Sequence, residues 1–167
     1  LISFSRGCEG VIVGLEPVTR PVIDSLPEVR IFAKYGVGLD NVDAPYLESN
    51  GRTLGWQPGV NRRSVSELAL MFMLALTHNV HRTSADLRRG IWNKDGGRLL
   101  SGRTIGIVGC GFVGEDLLEL LQPFGVTCLI YDIVEKPAVT ARGLARQVSY
   151  EELLMSSDIV SFHVPLT

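Results

Sequence analysis

A glycine-rich hexapeptide and one acidic residue are the clearest candidates for chemistry in this sequence. Residues 109–114 are Gly-Cys-Gly-Phe-Val-Gly and match the pattern G-x-G-x-x-G, and Asp132 follows Gly111 by 21 residues. Glycines at this spacing allow a tight turn, close approach of a diphosphate to the backbone, and close packing of a helix on a strand. A carboxylate at the position of Asp132 can accept both ribose hydroxyls and repel a 2′-phosphate, so the pattern favours NAD over NADP.

The elements around this motif must position it. Apolar runs and turn residues in the second half of the chain predict strands over 104–108, 127–131 and 159–163 and helices over 112–124 and 151–156. We expect the three strands to form the first half of a doubly wound sheet in the order 3-2-1, which leaves strand 104–108 at an apolar edge that invites association. A glycine turn that only packs a helix on a strand, with Asp132 as a loop cap, is the alternative interpretation.

The first half of the chain shows the same alternation. The pattern predicts strands over 10–14, 30–34 and 52–56 and helices over 17–26 and 43–50. Gly36-Val37-Gly38 follows the second of these strands. Adjacent glycines can present backbone N–H groups to an anion, although a turn that needs a positive φ explains them equally well.

Ser64-Val65-Ser66-Glu67 has the form of a capping box and predicts a helix from Ser64 to about Val80. Residues 68–76 are apolar on every face, so we expect this helix to be enclosed by its own domain or by a partner subunit. The segment 81–98 is polar and is expected to connect elements. Arg62 and Arg63 precede the capping box, either as ordinary solvated charge or as an aid in binding an anionic substrate or cofactor.

Composition excludes several classes of protein. The 167 residues carry a net charge of −2, so no basic excess is present to bind nucleic acid. The longest apolar run, 68–76, is far shorter than the roughly 20 residues that span a membrane. The three cysteines, Cys8, Cys110 and Cys128, have no metal-ligand spacing and are expected to be reduced core residues of a cytoplasmic protein. The start of the chain does not resemble a signal peptide.

Four blocks of sequence resemble the D-isomer-specific 2-hydroxyacid dehydrogenase family, and most closely its D-3-phosphoglycerate dehydrogenases. They cover residues 35–43, 58–67, 99–114 and 157–167. The resemblance implies an α/β fold, with part of a flavodoxin-like substrate domain over residues 1–61 and the first half of a doubly wound Rossmann NAD-binding domain over residues 62–167. It implies hydride transfer between NAD and a 2-hydroxy or 2-oxo acid, with 3-phosphoglycerate the favoured substrate.

The resemblance also assigns site residues by position. The implied substrate contacts are Val37, Gly38 and Asn61. The implied cofactor contacts are Ser64 and Val65 on the nicotinamide side, Gly109, Gly111, Phe112, Val113 and Gly114 at the pyrophosphate, Asp132 at the ribose, and His163, Val164 and Pro165 on the adenosine side.

Other implied features concern what this chain lacks. The family's catalytic Arg, Glu and His match positions beyond Thr167, so the chain resembles a fragment truncated at both ends, with weak or no turnover. His163 is not assigned as the base. Glu16-Pro17-Val18 occupies a turn where phosphoglycerate enzymes often carry polar phosphate-binding residues, which counts against that substrate.

Two alternatives stay open. The same scaffold serves as a non-enzymatic NAD-sensing module in corepressor-like relatives of the family. A Rossmann domain of another NAD enzyme is the other alternative, and the block 35–43 counts against it. A homodimer that forms through the 65–80 helix and the edge of the NAD domain is the expected assembly.

Overall fold

The computed structural model describes residues 1–94 and 96–165, and the chain divides into two units, Leu1–Asn61 and Arg62–Thr167. In the first unit, three parallel strands lie in the order β1-β2-β3. They are β1 (Gly10–Val13), β2 (Ile31–Lys34) and β3 (Thr53–Gly55), and the helices are α1 (Ile2–Ser5), α2 (Arg20–Asp24) and α3 (Ala44–Ser49). Helix α1 was not expected and α2 is shorter than expected, whereas the other elements match the expected ones.

The core of the first unit lies between the sheet and its helices. Eight buried side chains form it: Val13, Val18, Ile23, Leu26, Val29, Phe32, Val42 and Leu47. The parallel register pairs Val13 with Lys34, so β1 and β2 end side by side. The loops that follow these two strands therefore begin at one edge of the sheet.

The described residues of the second unit form four parallel strands, β4 (Thr104–Val108), β5 (Thr127–Tyr131), β6 (Arg146–Gln147) and β7 (Ile159–Phe162). Its helices are α4 (Arg62–Thr77), α5 (Val80–Arg88), α6 (Phe112–Leu121), α7 (Pro137–Ala141) and α8 (Tyr150–Ser156), and a 3₁₀ turn spans Gln122–Phe124. Helix α6 packs its buried leucines, Leu117, Leu118 and Leu121, in one core with Ile105 and Ile107 of β4.

The strand order of this sheet is β6-β5-β4-β7, so the expected 3-2-1 order with β4 at an edge is wrong. Ile105 of β4 pairs with Cys128 on one side and with Ile159 on the other. The unforeseen two-residue strand β6 takes the place beside β5, and the chain then crosses to the far side of β4 to form β7. Strand β4 is therefore the point at which the strand order reverses, and β7 is the edge next to it.

Helix α4 begins at Arg62, so the capping-box prediction, with Ser64 as the N-cap, is wrong. Arg62 and Arg63, in the helical turn before Ser64, form ion pairs with Asp116 of α6. The helix ends at Thr77, before Val80, because Asn79 adopts a left-handed φ of 54° and turns the chain into α5. Helix α5 lies in the segment expected to be a polar connection.

The apolar helix α4 is only partly enclosed by its own chain. Met73 is buried against α6 and the sheet, and Leu70 and Leu74 pack beside it. The side chains of Phe72 and Leu76 remain 53% and 63% exposed, respectively. Among the described residues, no helix combines the length and apolar character that crossing a membrane requires.

Candidate functional site

The loop between β4 and α6 is a bend that requires glycine at its first position. Gly109 has a φ of 91°, and its N–H group donates a 2.8 Å hydrogen bond to the carbonyl oxygen of Tyr131. A Cβ atom on Gly109 would lie 2.7 Å from the carbonyl oxygen of His163 and 2.7 Å from Cγ1 of Val164. Both conformation and space therefore exclude a side chain here.

The other two glycines of the motif differ in the space around them, since Gly114 is crowded and Gly111 is open. A Cβ atom on Gly114 would lie 2.5 Å from the carbonyl oxygen of Gly109, so its absence lets α6 pack directly on the bend. A Cβ atom on Gly111 would have no neighbour within 4 Å. Gly111 is the N-cap of α6 and provides no side-chain cap for the first N–H groups of the helix. The bend thus offers open space and free donors, which a diphosphate group fits.

Asp132 lies next to this bend, held by backbone hydrogen bonds. Its Oδ2 atom accepts a 2.8 Å bond from the N–H group of Cys110, and Oδ1 accepts a 3.0 Å bond from that of Val134. Burial by itself raises the pKa of Asp132, but the two N–H donors and the nearby Lys136 ammonium outweigh burial and hold the pKa below its ordinary value. The carboxylate is ionised near neutral pH and keeps capacity to accept further hydrogen bonds.

A cavity of about 430 Å³ opens at the carboxyl ends of β4, β5 and β7. This is the place where open α/β sheets bind ligands, beside the strand at which the order reverses. It is lined by six of the predicted cofactor residues, together with Tyr131 and Ile133: Gly109, Gly111, Asp132, His163, Val164 and Pro165. Tyr131 and Ile133 were not predicted as lining residues. Their position on either side of Asp132 in the sequence is the signal that could have identified them.

His163 follows β7 on the wall of this cavity. Its backbone N–H group donates a 2.8 Å hydrogen bond to the carbonyl oxygen of Val108. The Nε2 atom of its imidazole lies 2.9 Å from Oγ of Ser161. Burial lowers the pKa of the His163 imidazole, so the ring is neutral at pH 7. These contacts suit a side chain that lines the cavity.

The remaining predicted cofactor residues lie outside the lining of the 430 Å³ cavity. Ser64 is exposed and Val65 half-buried in the first turns of α4, and Val113 and Gly114 lie in the first turn of α6. Phe112 lines a smaller cavity of about 200 Å³ beside acidic side chains of α6 and Arg62.

Arg62 and Arg63, whose role the sequence left open, face a carboxylate that sequence analysis missed. The side chain of Asp116 is only 8% exposed, and its Oδ1 atom lies 3.1 Å from Nη2 of Arg63 and 3.9 Å from Nε of Arg62. Its Oδ2 atom accepts a hydrogen bond from the hydroxyl of Ser66, which is fully buried. This cluster joins the start of α4 to α6 in the second unit.

The predicted substrate residues of the first unit lie on its loops. Gly36 has a φ of 125°, and the carbonyl oxygen of Val37 accepts a 3.0 Å bond from Nε1 of Trp56. In the part of the chain that the structure describes, the N–H groups of Val37 and Gly38 donate no hydrogen bond. They are available to an anion. Asn61 is exposed at the end of this unit.

The loop after β1 is tied to the loop after β2. Nδ2 of Asn41 donates to the carbonyl oxygens of Gly14 and Glu16, at 3.1 and 2.7 Å. The Glu16 carboxylate accepts a 2.7 Å bond from the N–H group of Gly14. Backbone N–H groups of Glu16 and Gly14 lower the pKa of this exposed carboxylate, so a fixed negative charge stands at this edge of the sheet.

Comparison with known proteins agrees with this geometry. Residues 70–167 match the family model described as D-isomer specific 2-hydroxyacid dehydrogenase, NAD binding domain. The chain is 33% identical over 160 residues to a hydroxypyruvate reductase of Thermotoga maritima, covering 94% of this chain and 51% of that protein. It is 36% identical over 151 residues to a D-3-phosphoglycerate dehydrogenase of Haemophilus influenzae, covering 89% and 36%.

Solved structures show the same likeness. A D-lactate dehydrogenase from Aquifex aeolicus, complexed with NAD and lactic acid, superposes with a TM-score of 0.89 at 25% identity, over 100% of this chain and 51% of that one. An NAD-dependent formate dehydrogenase from Staphylococcus aureus, in complex with NAD, gives 0.82 at 30% identity, over 99% and 51%. The chain spans about half the length of these proteins, or less. The chain belongs to the D-isomer specific 2-hydroxyacid dehydrogenase family, and residues 70–167 correspond to its NAD-binding domain.

Proposed function

We propose that this chain is the NAD-binding part, with part of the substrate domain, of an enzyme that transfers a hydride between NAD and a 2-hydroxy acid. The observation that carries the proposal is the open bend at residues 109–114 with the ionised Asp132 hydrogen-bonded beside it. NAD supplies the hydride acceptor when it is bound. The protein supplies binding and orientation.

In this proposal the backbone at the start of α6 holds the pyrophosphate. The N–H groups of Phe112 and Val113 donate to its oxygens, and the positive end of the helix dipole favours its charge. Asp132 accepts hydrogen bonds from the ribose hydroxyls. His163, Val164 and Pro165 form the adenosine side of the cavity. Ser64 and Val65, which lie outside the cavity lining, contact the nicotinamide.

The substrate residues follow the same reasoning. The free N–H groups of Val37 and Gly38 donate to the carboxylate of the 2-hydroxy acid, as backbone nests do for anions. Asn61 contacts the same substrate. These assignments follow the family resemblance, and the availability of the two donors supports them.

The group of the substrate that lies away from its carboxylate, such as the phosphate of 3-phosphoglycerate, is considered apart from the carboxylate contacts. The resemblance favours 3-phosphoglycerate, whereas the fixed charge of Glu16 opposes a phosphate at the sheet edge where the Val37 loop begins. We therefore expect Glu16→Gln to strengthen binding of 3-phosphoglycerate about threefold and to leave glycerate unchanged. Titration of the Val37 and Gly38 amide resonances with both acids measures this, and equal effects on both acids would exclude a distal contact with Glu16.

Turnover by the 167-residue chain is expected to be weak or absent. A general base must reach the substrate hydroxyl, and its pKa must suit the reaction. In the described residues, the imidazole of His163 contacts Ser161, and no carboxylate is bonded to it.

A fluorescence titration with NADH, followed by NADH oxidation assays with glyoxylate and hydroxypyruvate, tests the proposal. We expect saturable NADH binding without oxidation that depends on the 2-oxo acid. Failure to bind NADH would contradict the proposed function. Oxidation that depends on the acid would show that groups within this chain suffice for catalysis.

We also propose a homodimer that forms through α4. Phe72 and Leu76 of this helix expose apolar surface that a second copy would bury. We place the edge contact of this dimer at β7, the edge strand beside β4, since β4 itself has a neighbour on both sides.

A further inference from the structure

A lysine that no part of the proposed function uses lies beside the ribose-binding carboxylate. Nζ of Lys136 is 3.7 Å from Oδ2 of Asp132, and the lysine side chain is only 22% exposed. We propose that Lys136 is a second specificity-determining residue of the dinucleotide site, which weakens the rejection of a 2′-phosphate by Asp132. This inference rests on the proposed binding of NAD at this site.

The position of Lys136 is fixed by the turn that follows Asp132. The N–H group of Val134 bonds to Oδ1 of Asp132 and brings the chain back toward the carboxylate. The N–H group of Lys136 donates a 2.8 Å bond to Oε1 of Gln147, and α7 begins at the next residue, Pro137. Because the backbone is held at both points, the Lys136 side chain starts within reach of Asp132, and its ammonium lies 3.7 Å from Oδ2.

The charge pair changes what an approaching phosphate experiences. A lone carboxylate repels a 2′-phosphate with its full charge, whereas the ammonium 3.7 Å from Asp132 attracts the phosphate and offsets part of that repulsion. A ribose hydroxyl needs only an acceptor, and Asp132 still has capacity after its bonds to Cys110 and Val134. Lys136 should therefore affect binding of the 2′-phosphorylated dinucleotide far more than binding of NAD.

Lys136 has a larger role in binding a 2′-phosphate when Asp132 is replaced. In Asp132→Ser the hydroxyl no longer repels the phosphate, and the Lys136 ammonium is released from its ion pair. An arginine near the end of this strand is the group that accommodates a 2′-phosphate in other dinucleotide-binding folds, and a lysine ammonium carries the same positive charge. Lys136 would then be the main cation for it.

The experiment compares NADH and NADPH dissociation constants by fluorescence titration in the wild-type chain, Lys136→Met, Asp132→Ser and the double variant. We expect Lys136→Met to weaken NADPH about fivefold, the size of a partly exposed charge contact, and to change NADH less than twofold. Asp132→Ser should tighten NADPH about tenfold, and the double variant should lose about fivefold of that gain.

Controls separate this inference from loss of folding and from loss of the site. Lys94→Met removes an exposed lysine of the same unit and should change neither affinity. Lys136→Arg keeps the charge and should keep NADPH binding near the wild-type value, and thermal unfolding without nucleotide checks that every variant is folded. If Lys136→Met is unfolded, Lys136→Gln replaces it.

Equal NADPH affinity in Asp132→Ser and the double variant would overturn the proposal for Lys136, even though NADH still bound to the wild type. A wild-type chain that binds neither dinucleotide would instead refute the proposed function, and the role of Lys136 with it.

Discussion

Alanine at Gly111 separates the binding role of the glycine bend from its folding role. Gly111 has φ −89° and ψ −155°, which alanine adopts without strain, and the added Cβ atom would have no neighbour within 4 Å. Alanine is a poorer N-cap than glycine by about 0.5 kcal/mol, but it restricts the unfolded chain by a similar amount. We therefore expect the free energy of unfolding to change by less than about 0.5 kcal/mol.

Binding should respond very differently. The new methyl group stands in the open space above the first turn of α6, where the pyrophosphate would contact the backbone. Loss of one charge-assisted hydrogen bond costs about 1.5–3 kcal/mol, which corresponds to roughly 10- to 100-fold weaker NADH binding. Fluorescence titration with NADH and thermal unfolding of the same sample measure both quantities.

Gly114→Ala is the matched control, because its Cβ atom would lie 2.5 Å from the carbonyl oxygen of Gly109 and 3.3 Å from Cγ2 of Ile107. Backbone must shift, at a cost of about 1–3 kcal/mol, and the midpoint of unfolding should fall by about 4–8 °C per kcal/mol. The reasoning is refuted if Gly111→Ala binds NADH as tightly as the wild type, or if it unfolds as early as Gly114→Ala.

Three further outcomes follow from contacts in the second unit. Phe72→Glu places a charge on the exposed face of α4 and should halve the mass measured by sedimentation if a dimer forms there; an unchanged mass would exclude this face. Asp116→Ala should lower the free energy of unfolding by about 2 kcal/mol and Ser66→Ala by about 1 kcal/mol in urea titrations, and equal stability to the wild type would contradict the buried cluster. Burial lowers the folded-state pKa of His163, so its contribution to stability is present above pH 6.5 and is lost as pH falls; His163→Asn should flatten this decline between pH 7.5 and 5.5.

The glycine bend was predictable because its determinants are local. Gly109 needs a positive φ, Gly114 needs contact with the bend, and both requirements are met by residue type at a fixed spacing. Asp132 was predictable for the same reason, since it directly follows β5, the strand that pairs with β4. The sequence pattern therefore identified Gly109, Gly111 and Asp132 of the cavity lining, whereas His163, Val164 and Pro165 came from the family resemblance.

The strand order was not predictable in this way. Which side of β4 receives β7 depends on where the crossover returns, and β6 has only two residues, too few to show a periodicity. The capping box failed for a related reason. Ser64 lies inside α4, and the two arginines that precede it pair with Asp116, a residue far along the chain.

The position of the Lys136 ammonium beside Asp132 was also not predicted from the sequence. It lies four residues beyond Asp132, and the residues between them carry no positive charge, so the strand end looked free of cations. The turn closed by the N–H group of Val134 brings the ammonium back. Side-chain contacts made across a turn are not visible in residue spacing alone.

The most direct test of the dinucleotide site is a ¹H–¹⁵N NMR titration of the 167-residue chain with NADH. We predict that the amide resonances of Cys110, Gly111, Phe112 and Val113, together with that of Asp132, shift along one saturable binding curve. Saturable shifts confined to other parts of the chain, with these five amides unmoved, would contradict this prediction.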